Sequence, residues 1–370
     1  MISNLQNVIN STEALEAKLK DKEHLKELTL EWDAANEIIS RSERDVLNNL
    51  QPHTSLTKLV IRNYNDTGFP NWVGDSSFSN ITVVHLNSCR NCSSLPSLGQ
   101  LPSLQDLFIF GFDEVVTVDA DFYGSGSYTV TPFQSLKILR FKAMSKWEEW
   151  SPYHREGKDE GAFPSLQELY LEECPKLSGS LPKHLPSLTK LEINECEQLE
   201  TSLPTAPSIR KLQLRNCNDA LLKELPPTLH DLTVIGFKNL ESLPEGVMDH
   251  NHGVEKLIFY DFPVLNSLPR PTTLKYLFIR NCKELEFPMY PFYSSLVGLI
   301  IEYSCKPLMS FPLDIFPKLR YLEIIRCSNM ESLSVSEGHH LTDLHLLQLK
   351  IKNCPNFVAF PSGGLSAPNL

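Results

Sequence analysis

Between Leu166 and Cys217 one pattern is written three times in succession. Leu166, Leu169, Leu171 and Cys174 are followed by Leu188, Leu191, Ile193 and Cys196, and then by Ile209, Leu212, Leu214 and Cys217. Each copy reads L-x-x-L-x-L-x-x-C, and its centre alternates with period two, as a strand with one buried face does. The same register starts at Leu25, Leu56, Ile81, Leu104 and Leu136, and after the triplet at Leu229, Val254, Leu274, Leu296, Leu319 and Leu346. About fourteen copies fill the chain, where about three suffice to stabilise a stacked array.

A repeat of this form is a leucine-rich repeat: a short strand with leucines facing inward, closed by a small buried residue that turns the chain away. One turn cannot bury its own leucines, whereas stacked turns bury a continuous ladder and pair their strands in parallel. Leu-Pro pairs recur behind the strands, as at Leu243-Pro244, Leu268-Pro269 and Leu95-Pro96. Proline donates no N–H, so these mark the return path outside the sheet. The predicted fold class is α/β: one curved leucine-rich-repeat solenoid over 1–370, with a single parallel β-sheet on the concave face and a mostly irregular convex side.

A few short helices are expected near the N-terminus. Asn10 as a cap with Glu13 three residues later predicts a helix over Asn10–Leu25, followed by a strand over Leu25–Glu31. Ser40 and Glu43 form a capping box for a second helix with Val46, Leu47 and Leu50 as its apolar face, stopped by Gln51-Pro52-His53. Repeats are long and irregular over 1–160 and shorter and more regular over 161–370, without a linker between them. The excess residues of the long repeats, Glu114–Thr131 and Tyr153–Gly161, are expected to bulge outward. Neither end shows an atypical capping repeat, so the chain is expected to be a piece of a larger protein.

The net charge of −11 and pI near 5.5 argue against nucleic-acid binding by bulk electrostatics. No segment reaches the roughly 18 apolar residues of a membrane span, and Met1–Asn10 lacks the regions of a signal peptide. The expected location is the cytoplasm, and also the nucleus. Asn10, Asn65, Asn80 and Asn91 sit in N-x-S/T contexts, which matter only in a secreted chain. Of nine cysteines, Cys89, Cys174, Cys196, Cys217, Cys282, Cys327 and Cys354 hold the closing position, where a small buried side chain is wanted. Cys92 falls on another inward position, and Cys305 lies one place beyond the closing residue Ser304. No second C-x-x-C or spaced histidine pair completes a zinc site, so no metal is expected. The clusters His339-His340 and Asp249-His250-Asn251-His252 read as solvated loop histidines, with no nucleophile motif beside them.

Gln51-Pro52-His53, Phe69-Pro70-Asn71-Trp72, Cys89-Arg90-Asn91-Cys92, Leu95-Pro96, Leu98-Gly99-Gln100-Leu101-Pro102 and Trp147-Glu148-Glu149-Trp150 follow one another in that order. This set resembles the leucine-rich-repeat region of plant intracellular coiled-coil nucleotide-binding disease-resistance proteins. The resemblance implies an immune receptor whose repeats recognise a pathogen effector, directly or through a guarded host protein, and restrain a nucleotide switch until they do. No G-x-x-x-x-G-K-[ST] loop is present, so ADP or ATP is expected only in a nucleotide-binding domain outside this chain, and no cofactor within it. An enzyme is not expected. The alternatives are the substrate-recognition part of a ubiquitin ligase, marked by an adaptor motif, and an extracellular repeat receptor, marked by a signal peptide and near-constant repeats of about 24 residues.

Strand alternation sends positions 3, 5 and 7 of each repeat to the face opposite the leucines. In the middle repeats these are polar, from Glu168 to Arg215. Later they turn apolar and aromatic: Ile235, Ile258, Tyr260, Tyr276, Phe278, Ile300, Tyr321 and Ile325, with Phe108 and Phe110 as an upstream outpost. A patch of this kind on a soluble protein predicts a protein-binding surface, with Lys256, Arg280 and Glu302 as polar rim. The expected partner is an effector, a guarded host protein or the receptor's own nucleotide-binding module. Strand propensity alone also favours such residues.

Overall fold

A computed structural model describes residues 1–8, 10–34, 43–124, 131–153, 161–243, 253–269, 272–287, 293–335 and 345–361. The chain divides into two compact units, Met1–Ile209 and Arg210–Leu370. Each is an α/β solenoid built from parallel strands, in which the leucine register sets the pairing.

The first unit contains α1 (Ser11–Glu16), β1 (Glu27–Glu31), α2 (Glu43–Asn49), β2 (Lys58–Arg62), β3 (Val83–Asn87), β4 (Asp106–Phe110), β5 (Thr117–Val118), α3 (Ala120–Tyr123), β6 (Ile138–Lys142), β7 (Glu149–Trp150), β8 (Glu168–Glu172) and β9 (Lys190–Asn194). Leu28 stands opposite Leu59, and the row continues through Val84, Leu107, Leu139, Leu169 and Leu191. Two residues on, Leu30, Ile61, Leu86, Ile109, Phe141, Leu171 and Ile193 make a second row, and both rows are buried. Each such side chain contributes on the order of 1.5–3 kcal/mol on leaving water, which is what holds the sheet together.

The second unit contains β10 (Lys211–Arg215), β11 (Asp231–Ile235), β12 (Lys256–Tyr260), β13 (Tyr276–Arg280), β14 (Gly298–Glu302), β15 (Ser310–Pro312), β16 (Tyr321–Ile325), β17 (Ser332–Ser334) and β18 (Gln348–Lys352). Its rows run from Leu212 to Leu349 and from Leu214 to Ile351. They are buried as far as β16 and half-buried in β18.

Behind most strands of the main sheet the chain makes the same bend. At position 8, Asn63, Ser88, Ala143, Glu173, Glu195, Asn216, Tyr303 and Arg326 take φ between 47° and 56°. That left-handed turn aims the backbone N–H at the position-7 carbonyl of the following strand: Glu173 to Asn194 at 2.9 Å, Tyr303 to Ile325 at 2.8 Å and Arg326 to Lys352 at 2.9 Å. The closing cysteine comes next, its thiol donating to the carbonyl two residues back, 3.3 Å for Cys174 and for Cys282. Cys282 and Cys327 also reach the preceding strand, at Phe259 and Ile301. All nine cysteines are free thiols. Where the closing residue is Ser304, its hydroxyl donates to the Glu302 carbonyl at 2.7 Å and accepts from the Cys282 N–H at 3.0 Å. Cys305 is buried beside it, its own N–H donating to the Cys282 carbonyl.

The first helix is shorter than the sequence suggests. Asn10 does cap it, accepting from the Glu13 N–H at 3.0 Å, but α1 ends at Glu16. Ala14 and Leu19 are the buried residues while Leu15 is exposed, a spacing one helical stripe cannot serve. Lys18 therefore turns left-handed (φ 45°), and a 3₁₀ turn over Leu19–Asp21 brings Leu19 inward before β1 starts at Glu27. α2 buries Val46 and Leu47 as predicted, and Ser40 lies outside the described residues.

The expected outward bulge after Glu114 is instead folded in, at least to Gly124. Val115, Val118, Phe122 and Tyr123 are buried. β5 and β7 pair in parallel behind the main sheet, and β15 and β17 do the same in the second unit. Trp147 and Trp150 of β7's Trp-Glu-Glu-Trp run are both buried, with ring centroids 5.5 Å apart. Trp150 donates its indole N–H to the Tyr123 hydroxyl at 2.9 Å, and that hydroxyl donates to the Ser151 carbonyl. Residues 125–130 and 154–160, which carry the rest of the expected excursions, lie outside the described residues, as do both histidine clusters.

Candidate protein-recognition surface

On the face opposite the leucines, the second unit presents three parallel rows, one for each outward position. The first row reads Lys211, Asp231, Lys256, Tyr276, Gly298, Tyr321, Gln348; the middle one Gln213, Thr233, Ile258, Phe278, Ile300, Glu323, Lys350. The third reads Arg215, Ile235, Tyr260, Arg280, Glu302, Ile325, Lys352. Strands lie about 4.8 Å apart, so neighbours in a row touch. Ile258, Phe278 and Ile300 are thus adjacent, and Ile235 adjoins Tyr260.

Tyr276 and Tyr321 flank Gly298, and the glycine is what lets the Tyr276 ring lie low. A Cβ on Gly298 would stand 2.8 Å from Cδ1 of Tyr276, so that ring occupies the space a side chain would need. Tyr276 is 40% exposed and Tyr321 41%, unusually open for large aromatic residues of a sheet. Cations steady the rest. Lys256 Nζ lies 5.7 Å from the Phe278 ring centre, and the Arg280 guanidinium 5.0 Å from that of Tyr260. Ile325 is set apart from Tyr260 by Arg280 and Glu302, and has Lys352 on its far side.

At the end of the strands this face opens into a cavity of about 260 Å³, lined by Tyr260, Arg280, Asn281, Glu302, Tyr303 and Arg326. Glu302 stands between two arginines, Oε2 at 3.5 Å from Arg280 Nε and Oε1 at 3.6 Å from Arg326 Nη1. The sequence pointed to Tyr260, Arg280 and Glu302 but not to Asn281, Tyr303 and Arg326. Those three occupy position 8, whose direction is fixed by the left-handed bend and not by strand alternation. The recurrence of Asn at that place, in Asn63, Asn216, Asn281 and Asn353, was the available signal.

Phe108 and Phe110 form their outpost on β4 of the first unit, with ring centres 6.1 Å apart. His85 meets Phe108 edge-on at 5.9 Å, and burial pushes its imidazole below the ordinary range. Farther along the same face, charges satisfy one another. Arg140 pairs with Asp106 at 3.0 Å, Lys142 with Glu172 at 3.0 Å and Lys190 with Glu192 at 2.8 Å. Hydrogen bonds that the Lys142 ammonium donates to Glu172 and Glu173 hold it above its usual range. A partner docking there would have to break these pairs, whereas the Tyr276–Phe278–Tyr321 region offers apolar area that water now covers.

A family model described as R13L1/DRL21 LRRs matches residues 1–112. Disease resistance RPP13-like protein 1 of Arabidopsis thaliana is 33% identical over 381 residues, which is all of this chain and 28% of that protein. The disease resistance protein RGA2 of Solanum bulbocastanum is also 33% identical, over 62% of this chain and 24% of that protein. This is a leucine-rich-repeat region of the disease-resistance type. It spans about a quarter of the length of these relatives. Among solved structures, a Leptospira interrogans leucine-rich-repeat protein aligns with 95% of the region and 83% of its own chain, at 17% identity and a TM-score of 0.46. Among the described residues no helix is long and apolar enough to cross a membrane.

Proposed function

We propose that this leucine-rich-repeat region is the recognition module of a plant immune receptor. It senses a pathogen effector, directly or through a guarded host protein, and restrains a nucleotide-binding switch carried elsewhere in the receptor. It works in the cytoplasm, holds no nucleotide and catalyses no reaction. The observation that carries this reading is the patch centred on Phe278, with Ile258 and Ile300 beside it and Tyr276 and Tyr321 on either side of Gly298. Tyrosine and arginine are the residues that most often dominate binding energy at protein interfaces, and both are present here at half exposure.

The test replaces Tyr276, Phe278 and Tyr321 together by Ser. None belongs to the buried ladder, so the thermal midpoint of the isolated region should stay within about 4 °C of the parent, the shift that about 1 kcal/mol produces. In the full-length receptor expressed in leaves, the triple variant should lose pathogen-dependent cell death or trigger it without a pathogen. A variant that folds and signals like the parent would show the patch to be strand chemistry only.

A further inference from the structure

We infer that the cavity beside Arg280 and Arg326 receives a carboxylate side chain, Glu or Asp, from the protein partner. This rests on the reading of the face as a protein-recognition surface and names the chemistry of one contact on it. Two guanidinium groups line the cavity against a single carboxylate, so it carries one positive charge in excess within a chain of net charge −11. The resident carboxylate satisfies neither arginine well. Its closest approaches, 3.5 Å to Arg280 and 3.6 Å to Arg326, exceed the roughly 2.7–2.9 Å of a formed charge-assisted hydrogen bond. A guanidinium offers five N–H donors in a planar fork that suits both oxygens of one carboxylate. Glu302 bridges the two forks without filling either.

The surroundings prepare the site for a side chain with an apolar stem. Tyr260 lies under the Arg280 guanidinium and limits its rotation. Tyr303 forms part of the opposite wall, and its own ring is covered by Lys283 Nζ at 4.5 Å. Asn281 is held in place by donating to Asp261 Oδ1 at 2.6 Å. The cavity adjoins Tyr260 and Ile235 on the third row, so an acidic residue entering it would sit at the edge of an apolar contact. In that position it would displace Glu302 from one arginine and take up the fork that Glu302 leaves unfilled.

The experiment uses the whole chain labelled with ¹⁵N-arginine, following the Nε–H signals of Arg280 and Arg326, each assigned by its Gln variant. The probes are acetyl-Ala-Glu-Ala-amide, its Gln counterpart and inorganic phosphate. The Glu peptide should shift both signals saturably with a dissociation constant in the millimolar range, as suits one ion-paired contact. The Gln peptide should not. Arg280→Gln and Arg326→Gln should each abolish the response of the remaining arginine, and Glu302→Gln, which removes the internal competitor, should tighten the Glu peptide about tenfold. Equal response to the Gln peptide, no saturation by about 20 mM, or no tightening by Glu302→Gln overturns the assignment. Tighter binding of phosphate than of the Glu peptide also overturns it, in favour of a phosphate site. The triple variant at Tyr276, Phe278 and Tyr321 leaves every cavity residue in place and should bind the peptide like the parent. Failure of the titration therefore leaves the recognition patch standing, and failure of the patch leaves the titration standing.

Discussion

Gly99 shows what a single residue does in a return segment this tight. A Cβ built on it would lie 2.4 Å from the Tyr123 carbonyl oxygen, and backbone cannot step aside as a side chain could. Its own carbonyl also accepts from the Phe133 N–H at 3.1 Å. Gly99→Ala should therefore destabilise the chain by about 1–3 kcal/mol, read as a lower midpoint in urea unfolding with unchanged m-value. The closing cysteines make a different prediction. Burial pushes the Cys282 thiol up to about 12 and the Cys327 thiol up to about 11, from an ordinary 9.0. Raised pKa values favour the protonated, folded state. The contribution is complete below pH 9, where unfolded thiols are protonated too, and is lost as pH rises through about 11 and 12. Stability should fall above pH 9 by at most about 1.4 kcal/mol per pH unit for each thiol. Thermal melts of a Cys282→Ala, Cys327→Ala double variant should show a shallower fall.

At the level of elements, the strands could be placed from the sequence almost to the residue, because a period of two in Leu, Ile and Val has no other reading at this repeat length. Leu169 and Leu171, or Leu277 and Ile279, name the buried face unaided. The bends behind the strands could not. Tyr303, Arg326, Glu173 and Ala143 all take a conformation more natural to Gly or Asn, and they do so because the next strand's carbonyl is waiting for their N–H. The two-residue and three-residue pairs β5–β7 and β15–β17 were equally hidden, being too short to carry a period. For the same reason the candidate site was half legible: the outward strand residues were named, whereas the cavity's position-8 wall was not. The Trp-Glu-Glu-Trp run packs both of its indoles behind the main sheet, and the cost of opening that packing can be stated. Trp150→Ala should destabilise by about 3–5 kcal/mol, whereas Trp150→Phe, which keeps the apolar bulk and gives up the hydrogen bond to Tyr123, should cost about 1 kcal/mol. Guanidinium unfolding of the two variants would separate packing from hydrogen bonding.

Across the molecule, stability comes from neighbours. Among the described residues of each unit, the strands of the main sheet pair with those of the preceding and following repeats, so a local injury should spread by contact and fade with distance. Leu257 is 1% exposed in the middle of the second unit. Leu257→Ala should cost about 2–5 kcal/mol locally. Hydrogen exchange should speed up most in β11, β12 and β13 and least in β18; uniform acceleration over the second unit would mean that it unfolds as one block.

The left-handed bend behind most strands of the main sheet has a consequence for how such a protein can change over generations. Because the bend docks on the following strand, the count of outward positions restarts with every turn, and a longer or shorter return does not shift it. A single codon change at Tyr276 or Tyr321 alters the exposed face while leaving the buried ladder as it was. An exchange of whole turns between related genes would likewise keep every outward side chain facing outward. Such a face can diversify quickly by substitution and by recombination, with little risk to folding.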